Sequence, residues 1–137
     1  LKDSETEFEG FKIYGSPWTS TFPGINPHCC AFTVKTDEQL AEKWELIPKD
    51  IDILVTHCPP FGIFDKAKRR SSNLSVGSLS LRNMIMTNYF SNLKLHIFGH
   101  IHECGGKSYK TTLPILVNAS IVNEYYEPVN KPVRVEL

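Results

Sequence analysis

The stretch LKLHIFGHIHECG, residues Leu93 to Gly105, decides how the rest of the chain is read. Leu95 to Phe98 has the near-continuous apolar character of a strand buried on both faces. Gly99 breaks it, and His100-Ile101-His102 follows at once. Two imidazoles therefore stand just past the C-terminal end of a strand. In open α/β sheets that rim is where ligands collect, and residues two apart in extended backbone point the same way, so His100 and His102 are expected to share one pocket. A metal ion is the expected occupant.

Upstream, IDILVT, residues Ile51 to Thr56, repeats the arrangement: a buried strand that ends on His57 and is stopped by Cys58-Pro59-Pro60. A single histidine at a strand end is ordinarily a hydrogen-bonded structural residue. It is the delivery of His57, His100 and His102 to one rim that argues for a metal centre.

The chain has 137 residues, the size of one domain, with 41% hydrophobic and 22% charged residues. Its 15 basic and 15 acidic residues cancel, so no global field points to nucleic acid or an anionic membrane. No apolar run is long enough to span a bilayer, and the acidic opening lacks the profile of a signal peptide. The four cysteines, Cys29, Cys30, Cys58 and Cys104, form no CxxC pair, which reads as reduced thiols in an intracellular, cytoplasmic protein. Asn73-Leu74-Ser75 and Asn118-Ala119-Ser120 match the glycosylation tripeptide by chance, the second because it follows an apolar run.

In chain order, residues 1–10 read as a frayed polar edge and Phe11 to Tyr14 as a short strand closed by Gly15-Ser16-Pro17. A loop carrying Trp18 and His28 follows, and Cys30 to Val34 resumes a strand. Thr36 with Gln39 forms a capping box for a helix whose Leu40, Trp44 and Ile47 face the core, ended by Pro48. After His57, residues 59–76 read as a long polar loop that starts at the proposed site. Its Lys66, Lys68, Arg69 and Arg70 form a cationic tip suited to a substrate phosphate. Gly77 and Ser78 open a second helix to about Tyr89, with Leu81, Met84, Ile85 and Tyr89 as its buried stripe. Leu113 to Val117 is a further strand, and Pro132 to Val135 an edge strand.

The phrases DILVTHCPP, GSLSL, HIFGHIHECGG and ILVNAS together resemble the C-terminal half of the calcineurin-like metallophosphoesterases. YGSPWTS and KWELIPKDIDILVTH resemble the metallophosphoesterase-domain-containing branch of that superfamily. The resemblance runs from about Phe11 to Ser120. It implies an α/β fold: the C-terminal half of a metallophosphoesterase β-sandwich with flanking helices, residues 1–137 forming one portion of a single domain. It implies hydrolysis of phosphomonoesters or phosphodiesters, nucleotides among them, at a centre of two divalent transition-metal ions, manganese, iron or zinc. By motif position His57 and His100 would ligate one ion and His102 the other, and imidazole suits these metals.

Two departures shape the expectation. Cys58 stands where the family usually has glycine, and the aspartate-x-histidine, bridging-aspartate and asparagine-histidine phrases of the family's N-terminal half are absent from this chain. The isolated chain is therefore expected to be inactive. It is expected to leave an apolar sheet face that pairs with the missing N-terminal half or with a second copy. A rival reading from another class is a zinc-binding structural or interaction module, with His57, His100, His102 and Cys58 or Cys104 as a closed tetrahedral set. A third is a metal-free interaction domain. Coordination separates them: an open site with oxygen ligands fits hydrolysis, a filled one with a thiolate fits structure.

Overall fold

Two-residue alternation and β-branched residues set the strands, and capping serines and threonines set the helices. A computed structural model describes residues 1–21, 30–69, 72–110 and 114–137. The chain opens with β1 (Ser4–Phe8), β2 (Phe11–Ser16), β3 (Thr19–Ser20) and β4 (Thr33–Val34), followed by α1 (Asp37–Trp44) and β5 (Ile53–Thr56). Then come β6 (Lys66–Arg69), β7 (Ser72–Ser75), α2 (Leu79–Met86) and β8 (Leu95–Phe98). A 3₁₀ turn, His102–Cys104, leads to β9 (Lys107–Lys110) and β10 (Ile115–Asn118). The main sheet has the order β1-β2-β5-β8-β10-β9. Its inner strands β2, β5, β8 and β10 run parallel, and β1 and β9 close the two edges antiparallel. The fold is α/β.

Register divides the apolar residues between two faces. Tyr14, Leu54, His96 and Leu116 lie in one row across the sheet. They face α1 and α2, whose Leu40, Trp44, Leu81 and Ile85 complete the main core together with Ile51 and Phe98. The opposite rows, Ile13-Ile53-Leu95-Ile115 and Val55-Ile97-Val117, have no helix over them among the described residues. Val55 is 37% exposed there, and Ile13, Ile53, Ile97 and Ile115 are half-buried.

The two helices are tied at their N-termini. Ser78 caps α2 by accepting from Leu81 N, accepts also from Trp44 Nε1 at 3.0 Å, and donates to Asp37 Oδ1 at 2.6 Å. Asp37 Oδ2 accepts from Ser80 N. One carboxylate in the first turn of α1 thus also serves the start of α2, where it favours both helix dipoles. Gly77 permits this: a Cβ there would collide with the backbone of Pro60 and Phe61.

Thr36 caps α1 as the sequence predicts, its Oγ1 accepting from Gln39 N, but the reciprocal bond of a capping box is displaced by one residue: Gln39 Oε1 accepts from Lys35 N rather than Thr36 N. Trp44 is fully buried. Other expectations need correction. The polar opening is not frayed: Ser4–Phe8 pairs with β2 through Glu9 and Gly10, both at positive φ, the two-residue turn that matches strand twist. The long polar loop contains a hairpin, β6 with β7, in which Lys66, Lys68, Asn73 and Leu74 are exposed while Ala67 packs toward Val76, Ile101 and Cys104. α2 ends at Met86 rather than Tyr89, and the strand at 30–34 shrinks to Thr33–Val34. Residues 132–135 form no strand; just before them Asn130 Nδ2 donates to Ser120 O and Val122 O. Leu113 and His28 lie outside the described residues.

His96 is a buried base in an apolar core. Thr56 Oγ1 gives its single proton to Cys58 O at 2.6 Å, so the 2.8 Å contact with His96 Nε2 must have the imidazole as donor. His96 Nδ1 is then a buried acceptor with no partner, and burial pushes the imidazole pKa down to about 3. The folded pKa lies below the unfolded one, so the neutral ring's contribution is complete above about pH 6.5 and is lost as pH falls toward 3. In that window the unfolded chain binds a proton that the folded one refuses, and stability falls by up to roughly 1.4 kcal/mol per pH unit. In His96→Gln this contribution should vanish, giving a shallower loss of urea midpoint between pH 6.5 and 4; an unchanged slope would contradict it.

Candidate metal centre

The strands β5 and β8 are direct neighbours, with Leu54 opposite His96 and Val55 opposite Ile97. Their C-terminal ends therefore open side by side. His57 follows β5 and its N–H still bonds to Ser16 O, which extends the ladder by one residue. His100 follows β8 after Gly99. The two imidazoles stand with ring centroids 4.4 Å apart and planes inclined at 58°.

His100 is held by backbone strain. Its φ is +67°, and Ile101 N bonds to Gly99 O at 2.7 Å, so His100 is the centre of a γ-turn of the rare positive-φ kind. A non-glycine residue there costs on the order of 1–3 kcal/mol, the sort of cost retained at functional sites. The turn, rather than extended alternation, brings His100 and His102 to one side. His102 opens the 3₁₀ turn His102–Cys104 and meets the Tyr126 ring edge-to-face at 5.0 Å.

The electrostatics favour neutral rings. Burial first, and then the nearby His57 and His102, lower the pKa of His100 to about 4. The pKa of His57 is also lowered, by crowding on its protein side first and by His102 second, although its outer side is exposed to solvent. A neutral imidazole with a free lone pair is the form that ligates a metal.

Asn118, at the end of β10, shapes this loop. It is fully buried, donates from Nδ2 to Ile101 O at 2.9 Å and to Phe64 O at 3.3 Å, and accepts from Ser120 N. Its role was hidden because its sequence signal is a glycosylation-like tripeptide. Glu103, Glu124 and Tyr126 were also missed: they line a cavity of about 300 Å³ that His100 and His102 share, and Glu124 and Tyr126 come from a tail with no periodic pattern. Of the cationic residues, Lys68 lines the same cavity and is ion-paired with Glu124, while Lys66 stands exposed on the same strand. Arg69 ends β6, and Arg70 lies outside the described residues.

The thiols lie elsewhere. Cys58 is buried with the main core and its pKa is pushed up to about 12 by burial; Cys104 packs with Val76 and Ile101. Among the described residues no group of three or more His, Cys, Asp and Glu side chains gathers to hold a metal ion. The closed tetrahedral set of histidines and a cysteine is therefore not formed, because both sulfurs face apolar clusters. The paired neutral rings of His57 and His100 suit a transition-metal ion, but as part of a donor set.

No family model matches the chain. It is similar along all 137 residues to metallophosphoesterase domain-containing protein 1 of Homo sapiens and of Mus musculus, at 40% identity. It is also 34% identical over 136 residues to a UPF0046 protein of Caenorhabditis elegans. The chain spans 39% of the length of the human and mouse relatives and 31% of the nematode one. A solved crystal structure superposes with a TM-score of 0.54 at 18% identity, covering 90% of this chain and 45% of that one, which supports the fold.

The γ-turn makes a testable demand. His100→Gly should be more stable to denaturant than His100→Ala by about 1 kcal/mol, since only glycine accepts positive φ without cost. Equal midpoints would mean that the turn is unstrained. Asn118→Ala leaves Ile101 O and Phe64 O short of a donor and should cost about 1–3 kcal/mol in equilibrium unfolding.

Proposed function

We propose that this chain, whose kinship with the metallophosphoesterase domain-containing proteins runs from its first residue to its last, supplies the histidine side of a two-metal phosphoester hydrolase. The observation that carries this is the His57–His100 pair, 4.4 Å between ring centroids at the ends of adjacent parallel strands. His57 and His100 would hold one ion and His102 would face the other. The carboxylates that neutralise and space two divalent cations would come from the length of polypeptide by which the relatives exceed this chain.

The bound ions, manganese, iron or zinc, would supply Lewis-acid stabilisation of the phosphoryl oxygens and of the departing oxygen. The chain's own residues do the rest. Burial keeps the imidazole of His100 neutral at physiological pH, so no proton competes for its lone pair. The γ-turn and the Asn118–Ile101 bond hold that ring in place without an ordering cost at each turnover. The apolar rows of Ile13, Ile53, Val55 and Ile97 are the surface on which the remaining polypeptide, or a second copy, would pack.

The test compares this chain with the complete gene product on bis(p-nitrophenyl) phosphate and nucleotide esters with added manganese. The complete product should hydrolyse them, lose activity on chelation, and lose on the order of 100-fold or more in kcat/KM on His57→Ala or His100→Ala. The 137-residue chain should show no turnover above background. Turnover by the chain alone equal to that of the complete product, abolished by His100→Ala, would overturn the division of labour.

A further inference from the structure

The cavity beside His100 and His102 holds about 300 Å³, room for a ring-sized group rather than for a phosphate alone. Its apolar lining comes from Ala67, Val76 and Ile101. Its charged lining, among the described residues and apart from the histidines, is Lys68, Glu103 and Glu124. Lys68 Nζ is bonded to Glu124 Oε1, and Glu103 Oε1 accepts from Lys68 N at 2.7 Å. Among these described side chains one cation stands against two carboxylates, so the wall away from His100 and His102 carries a surplus negative charge, and the cation is already engaged.

Tyr126 stands at the mouth. Its φ is +62°, imposed by a small self-closed loop in which Asn123 Oδ1 accepts from Tyr125 N and Glu127 N while Tyr126 N bonds to Asn123 O. Glu124 in the same loop clasps Lys68 on β6, so the loop is anchored across the cavity. The Tyr126 ring meets His102 by its edge geometry at 89° and is 74% exposed, which leaves ring surface open for stacking.

We propose that this cavity is a leaving-group subsite for an uncharged flat aromatic group, with Tyr126 as its platform and the Glu124–Lys68 pair as its barrier to a second anion. The inference rests on the hydrolase reading above for the word leaving group. The apolar lining disfavours a cation, the surplus carboxylate disfavours an anion, and the phenol ring rewards a flat neutral partner. A phosphoester carrying further phosphate or carboxylate beyond the scissile bond would be a poor substrate.

Two arms test this on the complete gene product. In the first, methyl 4-nitrophenyl phosphate is compared with methyl 3-carboxy-4-nitrophenyl phosphate. The carboxylate should raise KM about tenfold with kcat little changed, and Glu124→Gln should cut that discrimination to about threefold or less. Tyr126→Ala should raise KM for the neutral ester roughly fivefold, while Tyr126→Phe keeps the wild-type value. In the second arm, independent of turnover, NMR titration compares 4-nitrobenzyl alcohol with 4-nitrobenzoate. The alcohol should bind more tightly and shift the Tyr126 and His102 signals. Absence of hydrolysis with retained preference for the alcohol would sink the hydrolase reading and keep the subsite; equal binding of the two probes, or Tyr126→Ala without effect on either KM or binding, would overturn the subsite itself.

Discussion

The parallel, in-register pairing of β5 with β8 is the constraint on which the site depends. Parallel strands end on the same side of a sheet, so pairing Leu54 with His96 obliges the residues after each strand to emerge together. The pairing is locked at its exit by a buried hydrogen bond, His96 Nε2–H to Thr56 Oγ1, with Thr56 turned back onto Cys58 O. A slip of one residue would turn His96 and Leu54 to the other face and separate His57 from His100. The polar knot under the rim is thus both a register device and a floor for the site.

Above that floor the chain accepts local cost. His100 sits in a positive-φ γ-turn, and His96 carries an acceptor with no partner. Both features lie within the stretch that also bears the histidine cluster, and both are over-determined by neighbours: Asn118 binds the loop from β10, and Phe98 and Leu116 pack around the buried ring. The stabilising burial is concentrated on the helix side of the sheet. The other side keeps an apolar row that is half-buried at best at Ile13, Ile53, Val55 and Ile97. A sheet covered by helices on one face and carrying isoleucine and valine on the other is built for a second layer.

Lys68 illustrates how tertiary contacts alter a charge pattern. Lys66, Lys68, Arg69 and Arg70 read along the chain as an anion-binding tip. In space, Lys68 is taken up by Glu124 from a segment far along the chain, and its backbone N–H by Glu103. Charge on a side chain matters through what faces it, and at Lys68 the facing groups are carboxylates.

The sequence by itself determined the elements that rest on local chemistry. The buried strands ending at Thr56 and Phe98, the Thr36 cap, the core role of Trp44 and the rim position of His57 and His100 all follow from periodicity, capping and breakers, which act over a few residues. The β1–β2 hairpin was legible in Glu9-Gly10 yet easily passed over, since its strand is polar and sits at an edge. Only the tertiary structure decided the rest. It turned His100 and His102 together by a γ-turn instead of by strand alternation, buried Cys58 and Cys104 away from the histidines, and brought Asn118, Glu124 and Tyr126 to the site from β10 and an irregular tail. These outcomes depend on which strands become neighbours and on side chains that satisfy one another across long loops, and no short-range pattern encodes the partner of a buried carbonyl or a paired charge.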